Sequence, residues 1–390
     1  MDLETIKFLD KYIGIPICCS LIAYDKIKNL VYKNKKDKDI KKILFIKFFG
    51  FGNLILILPP IKAVEEAYPN AEVSLLTILD NKGLLEEAKF IDKIIYLNVS
   101  NFPKLISSFV RLIKKLREEK LDIIFDFEQF ARVSSTIVYL SGAKERVGFD
   151  IKHQFRGPLY TTKINYNNDQ HMVKSFCDIV KYHIKKIGYN LIKLPTSNVD
   201  RKFVEDYLSE NSISKKDFLV GIHVGSGKNA ELRRWPKENF AKLADYLINN
   251  FKVKVLFTGS KKEKELVNNT LAMMKNNAID TTGQLSLRQL SLIIERCNLF
   301  ICVDSGPLHL ASAMKTPSIS FFGPNTPVIY GPIGNNNLVF YKGLKCSPCI
   351  SNYNAKSTSC RNPVCLNSIT YDEVKEAVSD KYFKQVLLKP

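Results

Sequence analysis

The stretch from Leu299 to Pro332 constrains this chain more than any other. An apolar run, Leu299 to Val303, stops at Asp304-Ser305-Gly306; a helical spacing follows, with Leu308, Leu310, Ala311 and Met314 on or near one face; a second apolar run, Ser318 to Phe322, ends at Gly323-Pro324. Strand, polar turn, helix, strand is the repeating unit of a parallel sheet. In such sheets ligands bind at the carboxyl ends of strands, where helix N-termini offer unpaired N–H groups to anions. Asp304, Ser305, Gly306 and His309 all fall at such an end. Gly306 lets backbone approach a ligand, and Ser305 can cap the helix or donate to a phosphate. A capped helix start with a tolerated histidine would account for any one of them; four together, with Pro307 in the first turn, point to a nucleotide site.

The same alternation runs through most of the chain. Ile43 to Lys47, Glu72 to Thr77, Lys93 to Leu97 and Leu121 to Phe125 read as strands, with a strongly helical Phe102 to Glu119 among them. The turn Gly50-Phe51-Gly52-Asn53 follows the first strand; it lacks the third glycine and distal acid of a dinucleotide site and suits an acceptor or phosphate close to backbone. At Pro195-Thr196-Ser197-Asn198 the pattern lapses, which sets a boundary between a domain of residues 43–197 and one of residues 198–390. The second domain resumes with strands at Phe218 to Val224 and Val253 to Thr258, and helices at Lys237 to Asn250, Leu285 to Arg296 and Tyr371 to Asp380. At 390 residues, two domains are the natural expectation.

Residues 1–42 stand apart. Tyr12 to Tyr24 is apolar and broken by Gly14 and Pro16, and Lys26 to Lys42 carries eight lysines against two aspartates. That suits either the surface of an anionic membrane or a helix packed on the body followed by a solvated linker. The formal charge of +19 suggests anionic partners, tempered by a composition rich in Lys, Ile and Asn throughout. No nucleic-acid motif is present, no apolar run reaches the length of a spanning helix, and the first residues do not read as a signal peptide. A cytoplasmic setting, peripheral on the inner face of the membrane, fits best.

Several constellations carry chemistry. Gly225-Ser226-Gly227-Lys228 resembles an anion cradle after a strand. Arg233 and Arg234, just before Trp235-Pro236, could clamp a diphosphate, against the alternative of an exposed basic loop. Glu263 could accept from a ribose or sugar hydroxyl or simply complement a helix dipole. Cys177, Cys297 and Cys302 read as buried thiols. Cys346, Cys349, Cys360 and Cys365 leave three readings open: a structural zinc site, reduced packing thiols, or disulfides.

These residues together resemble the heptosyltransferase family, glycosyltransferase family nine, over about residues 42–380. The matching segments are V-D-S-G-P-L-H-L-A-S-A, F-F-G-P-N-T-P, the R-R-W-P after a glycine loop, T-G-Q-L-S-L-R-Q-L, and the opening K-I-L-F-I-K-F-F-G-F-G-N. D-F-E-Q-F-A-R-V-S-S, G-A-K-E-R-V-G-F and His171 also match in kind. The resemblance implies an α/β, GT-B architecture of two Rossmann-like domains facing a central cleft. It implies an inverting, metal-independent transfer of a sugar, heptose by family default, from a nucleotide-sugar, commonly ADP-linked. The acceptor would be the lipopolysaccharide core or another glycan or glycolipid. Ser226, Gly227, Lys228, Arg233, Asp304, Ser305, Gly306 and His309 would hold the donor, with Glu263 and Leu285 near ribose and base. The family's glycine turn ends in an aspartate that acts as general base; here that place is Asn53, and an amide cannot take a proton at neutral pH. The expectation is that Asn53 orients the acceptor, Glu128 serves as base and Arg233 stabilises the leaving group. A catalytically silent binding protein of the same shape is the alternative that Asn53 favours.

Overall fold

The computed structural model describes residues 3–29, 39–184, 186–227, 231–354 and 356–384. It divides into two compact units, Met1–Asn190 with Asn352–Lys356, and Leu191–Ser351 with Ser357–Pro390. The first contains strands β1 (Lys42–Ile46), β2 (Glu72–Ile78), β3 (Lys93–Leu97), β4 (Ile123–Asp126), β5 (Glu145–Asp150) and β6 (Thr162–Asn165). They form one sheet in the order β3-β2-β1-β4-β5-β6, all neighbours parallel. The second contains β7 (Leu219–His223), β8 (Lys254–Thr258), β9 (Ile279–Asp280), β10 (Leu299–Val303), β11 (Ser318–Phe322) and β12 (Asn337–Tyr341), in the order β12-β11-β10-β7-β8-β9, again parallel. Two six-stranded parallel sheets with helical crossovers are the α/β class expected from the sequence.

Parallel strands covered by helices on both faces must be apolar along their whole length. The central strands obey this: β7, β10 and β11 are buried at every position. In the first unit Phe45 stacks on Phe125 and Phe127, with ring centroids 5.3 and 5.7 Å apart.

The chain opens with helices α1 (Leu3–Tyr12) and α2 (Gly14–Asn29). Pro16 lies in the first turn of α2, where its missing N–H breaks no helical bond. Both helices pack on the first unit. Cys18 is fully buried against Ser135 and Thr136, and Asp10 accepts from the Arg132 and Val133 amides while pairing with the Arg132 guanidinium. The packed-helix reading therefore describes residues 3–29; most of the lysine run, residues 30–38, lies outside the described residues.

After β1 come α3 (Phe51–Leu56) and α4 (Leu58–Ala67), then α5 (Phe102–Glu119), α6 (Arg132–Leu140) and α7 (Met172–Val180). Helix α5 starts where Asn101 accepts from the Lys104 amide and ends on Lys120 in the left-handed conformation. The second unit begins with α8 (Asn198–Glu210), followed by α9 (Lys237–Phe251), α10 (Lys264–Leu271), α11 (Leu287–Arg296) and α12 (Gly306–Met314). The polar stretch at Thr196 to Asn198 is the start of α8, where Ser197 and Asp200 form a reciprocal capping box.

Beneath the Gly50 turn lies an ion pair. Lys47 and Glu128 are both fully buried, with Lys47 Nζ 2.8 Å from Glu128 Oε1. That oxygen also accepts from the Phe48 amide at 2.6 Å and the Phe49 amide at 3.1 Å. Burial pushes the Lys47 ammonium below its ordinary value against the pull of Glu128. Removing one partner strands a buried charge, which costs about 3–5 kcal/mol, whereas an apolar pair of similar volume can be near neutral. Lys47→Ala is expected to lower stability by about that amount in urea unfolding, and Lys47→Met with Glu128→Leu to recover only part of it, because the Phe48 and Phe49 amides then lose their acceptor.

Candidate active site

In the second unit four neighbouring strands each deliver a polar residue just past their carboxyl ends. Ser226 follows β7, Glu263 follows β8, Asp304 follows β10 and Asn325 follows β11. Arg233 joins them from the loop before α9. Its Nη1 lies 3.2 Å from Asp304 Oδ2, and its Nη2 donates to the Ser226 carbonyl at 3.4 Å. Asn325, 1% exposed, donates to the same Asp304 oxygen at 2.9 Å. Arg234 Nε reaches Ser226 Oγ at 3.3 Å.

Trp235 fixes this loop. It is 1% exposed, stacks on Phe321 with centroids 4.3 Å apart, and donates from Nε1 to the Ile369 carbonyl. The two arginines immediately before it are thereby held over the strand ends. A guanidinium already resting on a carboxylate and loop carbonyls is placed to trade those partners for phosphate oxygens.

The glycine loop is pinned from below. Glu263 Oε1 accepts from the Gly227 amide at 3.0 Å, and Oε2 accepts from the Ser260 amide and hydroxyl at 2.8 Å each. A Cβ on Gly225 would sit 2.0 Å from Glu263 Oε1, so only glycine allows this approach. Burial raises the Glu263 carboxyl, but His223, the Ser260 groups and the Gly227 amide outweigh it and hold it below its ordinary value. His223 is itself buried and bonded to Thr258, and burial pushes its imidazole down.

Ser305 heads α12 but does not cap it; its hydroxyl turns back to the Val303 carbonyl at 3.2 Å. Gly306 begins the helix, and His309, 5% exposed, sits one turn on with its ring 6.1 Å from that of Tyr330. Lys228 lies outside the described residues. Leu285 is half-buried against the cluster built from Val204, Leu208 and Leu292. Sequence reasoning passed over Asn325 and His223, although F-F-G-P-N-T-P directly after a strand was a usable signal for the first.

In the first unit Gly50 has a φ of +81° and Asn53 closes the turn, its amide donating to the Gly50 carbonyl at 2.9 Å. Asn53 Nδ2 lies 3.4 Å from the Phe49 carbonyl. Glu128 is not presented to the surface of this turn: its Oε1 is held by Lys47 and two turn amides, and its Oε2 is buried with no partner among the described residues. Asp126 is equally enclosed, accepting from Arg156, Ser134 and Tyr160. The geometry makes Glu128 a holder of the turn.

The zinc expectation finds no support in the described residues. Among the described residues, no three His, Cys, Asp or Glu side chains are arranged to hold a metal ion. The four cysteines of the cluster diverge in environment. Cys365 is buried beside Gly323, Cys346 is exposed, and Cys360 turns to the Asn362 carbonyl. Pro363 opens the short helix Val364–Asn367 that carries Cys365 inward, and this divides the set.

Comparison with known proteins identifies the family and the fold. Residues 109–358 match the model of glycosyltransferase family 9 (heptosyltransferase). A lipopolysaccharide heptosyltransferase 1 of Campylobacter coli is 24% identical over 352 residues, covering 87% of this chain and 99% of that protein. A family 9 glycosyl transferase of Veillonella parvula superposes with a TM-score of 0.72 at 22% identity, covering 88% of this chain and 97% of that one. The E. coli ADP-heptose LPS heptosyltransferase II gives a TM-score of 0.69 at 19% identity, covering 88% and 99%. The fold is therefore the GT-B fold of these enzymes.

Because the folded Glu263 carboxyl is held below the ordinary 4.5, the stability it lends is present above that value and is lost as pH falls through the folded value. Thermal unfolding followed from about pH 6 down to about pH 3 is expected to show this acid-side loss in the wild type and a smaller one in Glu263→Gln. The sheet, the glycine loop, the arginines over the strand ends and the family match together make the chain a member of glycosyltransferase family 9, the heptosyltransferases, and a glycosyltransferase.

Proposed function

We propose that the protein transfers heptose from ADP-heptose to a sugar hydroxyl of a lipopolysaccharide-core or related glycolipid acceptor, with inversion at the anomeric carbon. The observation that carries this is the Arg233–Asp304–Asn325–Ser226 cluster at adjoining strand ends, supported by relatives whose names carry ADP-heptose and lipopolysaccharide. Arg233, with the start of α12, meets the charge that develops on the departing diphosphate. Ser305, Gly306 and His309 line the same strand end, and Lys228 adds a cation to the loop. Glu263 sets the loop's shape from beneath and supplies an acceptor toward ribose.

On the acceptor side Asn53 orients the attacking hydroxyl, and Glu128 acts through the turn it holds. Proton transfer to Glu128 itself would have to use Oε2 and would require the turn to open. The enzyme works at an anionic membrane surface. The supporting features are the exposed Phe8, Tyr12 and Tyr24 of the amino-terminal helices, the lysine run that follows them, and the net charge of +19.

Release of ADP from ADP-heptose in the presence of a lipopolysaccharide-core acceptor tests the reading; inactivity with ADP-heptose alongside activity with another nucleotide-sugar overturns the donor. Arg233→Ala is expected to lower kcat/KM by about 10²–10³, the size found for one preorganised donor to a developing anion. Asn53→Asp restores a carboxylate at the turn. It is expected to raise kcat at and above neutral pH and to introduce an acidic limb in the pH profile, whereas Asn53→Ala lowers kcat.

A further inference from the structure

At the carboxyl edge of the first unit's sheet lies a cavity of about 190 Å³ whose wall is almost wholly hydrocarbon. Its floor is formed by Phe48, Ile78, Leu97 and Val99, which stand at or just past the ends of β1, β2 and β3. One side is the amino-terminal half of α5, and the other is the junction of α1 and α2. Two polar residues reach the wall, and both are occupied elsewhere. Asp10 is bonded to Arg132 and Val133, and Thr136 Oγ1 lies 4.0 Å from Cys18 Sγ. Such a surface offers nothing to a sugar or a nucleotide.

The mouth is apolar as well. Ile13 and Ile17 from the amino-terminal helices are 44% and 40% exposed, and Phe102 and Ile106 from α5 are 46% and 50% exposed. Scattered apolar residues on a surface need no explanation, but four around one apolar cavity form a contiguous patch.

The cavity is also continuous with the acceptor turn. Phe48 and Phe49, which line it, are the residues whose amides Glu128 holds, and they lead directly into Gly50 and Asn53. An acceptor whose hydroxyl is oriented by Asn53 would have its apolar end within reach of this slot.

We propose that the cavity receives one hydrocarbon chain of a lipid-linked acceptor, with α1 and α2 forming its outer wall. This rests on the reading that the acceptor is a glycolipid, and it adds a binding site for the lipid itself. Burying a chain contributes roughly 0.8 kcal/mol per methylene, so a few methylenes account for a tenfold preference for an acylated acceptor over its deacylated form.

The test uses the full chain and cis-parinaric acid, a fluorescent fatty acid. Saturable binding at one site per chain is expected. Ile106→Asp and Ile17→Asp, both at partly exposed positions, should each weaken it at least tenfold, while Val199→Asp, an exposed apolar position in the second unit, leaves it unchanged. In transfer assays with a lipopolysaccharide-core glycolipid and its hydrazine-deacylated counterpart, Ile106→Asp should raise KM for the acylated acceptor toward that of the deacylated one, with kcat unchanged. Circular dichroism verifies that the variants fold. Absence of saturable parinaric acid binding, or binding that both substitutions leave intact, overturns the proposal. So does loss of binding to phosphatidylglycerol–phosphatidylethanolamine vesicles in the variants while parinaric acid still binds, since that outcome assigns the patch to the membrane surface alone. If neither acceptor is glycosylated by the wild type, the acceptor reading fails, and parinaric acid binding still decides the slot.

Discussion

Covering both faces of a sheet leaves its chemistry nowhere to go but the ends. Strands β7, β10 and β11 are buried at every residue, so no side chain along them can meet water or substrate. Because the strands run parallel, their carboxyl ends fall on one edge, and residues far apart in sequence arrive there together. Ser226, Glu263, Asp304 and Asn325 are neighbours for this reason alone. Their placement then becomes a problem of close approach. The carboxylate of Glu263 comes so near Gly225 that no side chain fits, and it holds the loop that results by the Gly227 amide. Trp235 solves the matching problem for the arginines by burying its ring on Phe321 and leaving the preceding residues no freedom to drift.

The first unit is organised by a different device. Two carboxylates, Asp126 and Glu128, leave the end of β4 and are each neutralised by a fully buried cation, Arg156 and Lys47. Burial pushes the Asp126 carboxyl up, against the pull of Arg156, Tyr160 and Ser134. Such pairs contribute little net stability compared with an apolar core, and their value lies in fixing one geometry. Here the geometry fixed is that of Phe48 and Phe49, and hence of the glycine turn.

Where burial decides structure, the sequence is easy to read. Leu299–Val303, Ser318–Phe322 and Phe102–Glu119 were legible to the residue because an unbroken apolar run or a strong helical period admits one interpretation. Strands β5, β6 and β12 were not legible. They lie at or near the sheet edges, are partly exposed, and mix Glu145, Arg146, Lys163 and Asn337 with apolar residues. The polar stretch at Thr196 to Asn198 looked like a linker because capping and turn residues are the same residues. Within the candidate site, glycines and arginines advertise themselves through spacing. Asn325 and His223 do not, since their place depends on which strands become neighbours. The ion pair of Glu128 was hidden for the same reason: nothing local shows that Lys47, more than eighty residues earlier, would claim its oxygen. Cysteine spacing likewise says nothing of direction, and Cys365 faces inward where Cys346 does not.

Residues Asn352–Lys356 group with the first unit although the chain on either side belongs to the second. Asn352 Nδ2 bonds to Tyr166, its carbonyl accepts from Gln154, and Tyr353 packs edge-on against the Tyr166 ring. The polypeptide thus changes unit at 190/191, 351/352 and 356/357. Neither half corresponds to one uninterrupted length of chain. The first unit therefore gains residues 352–356 only after residues 191–351 have been made, and a cut at 190/191 leaves that segment on the fragment that carries the second unit.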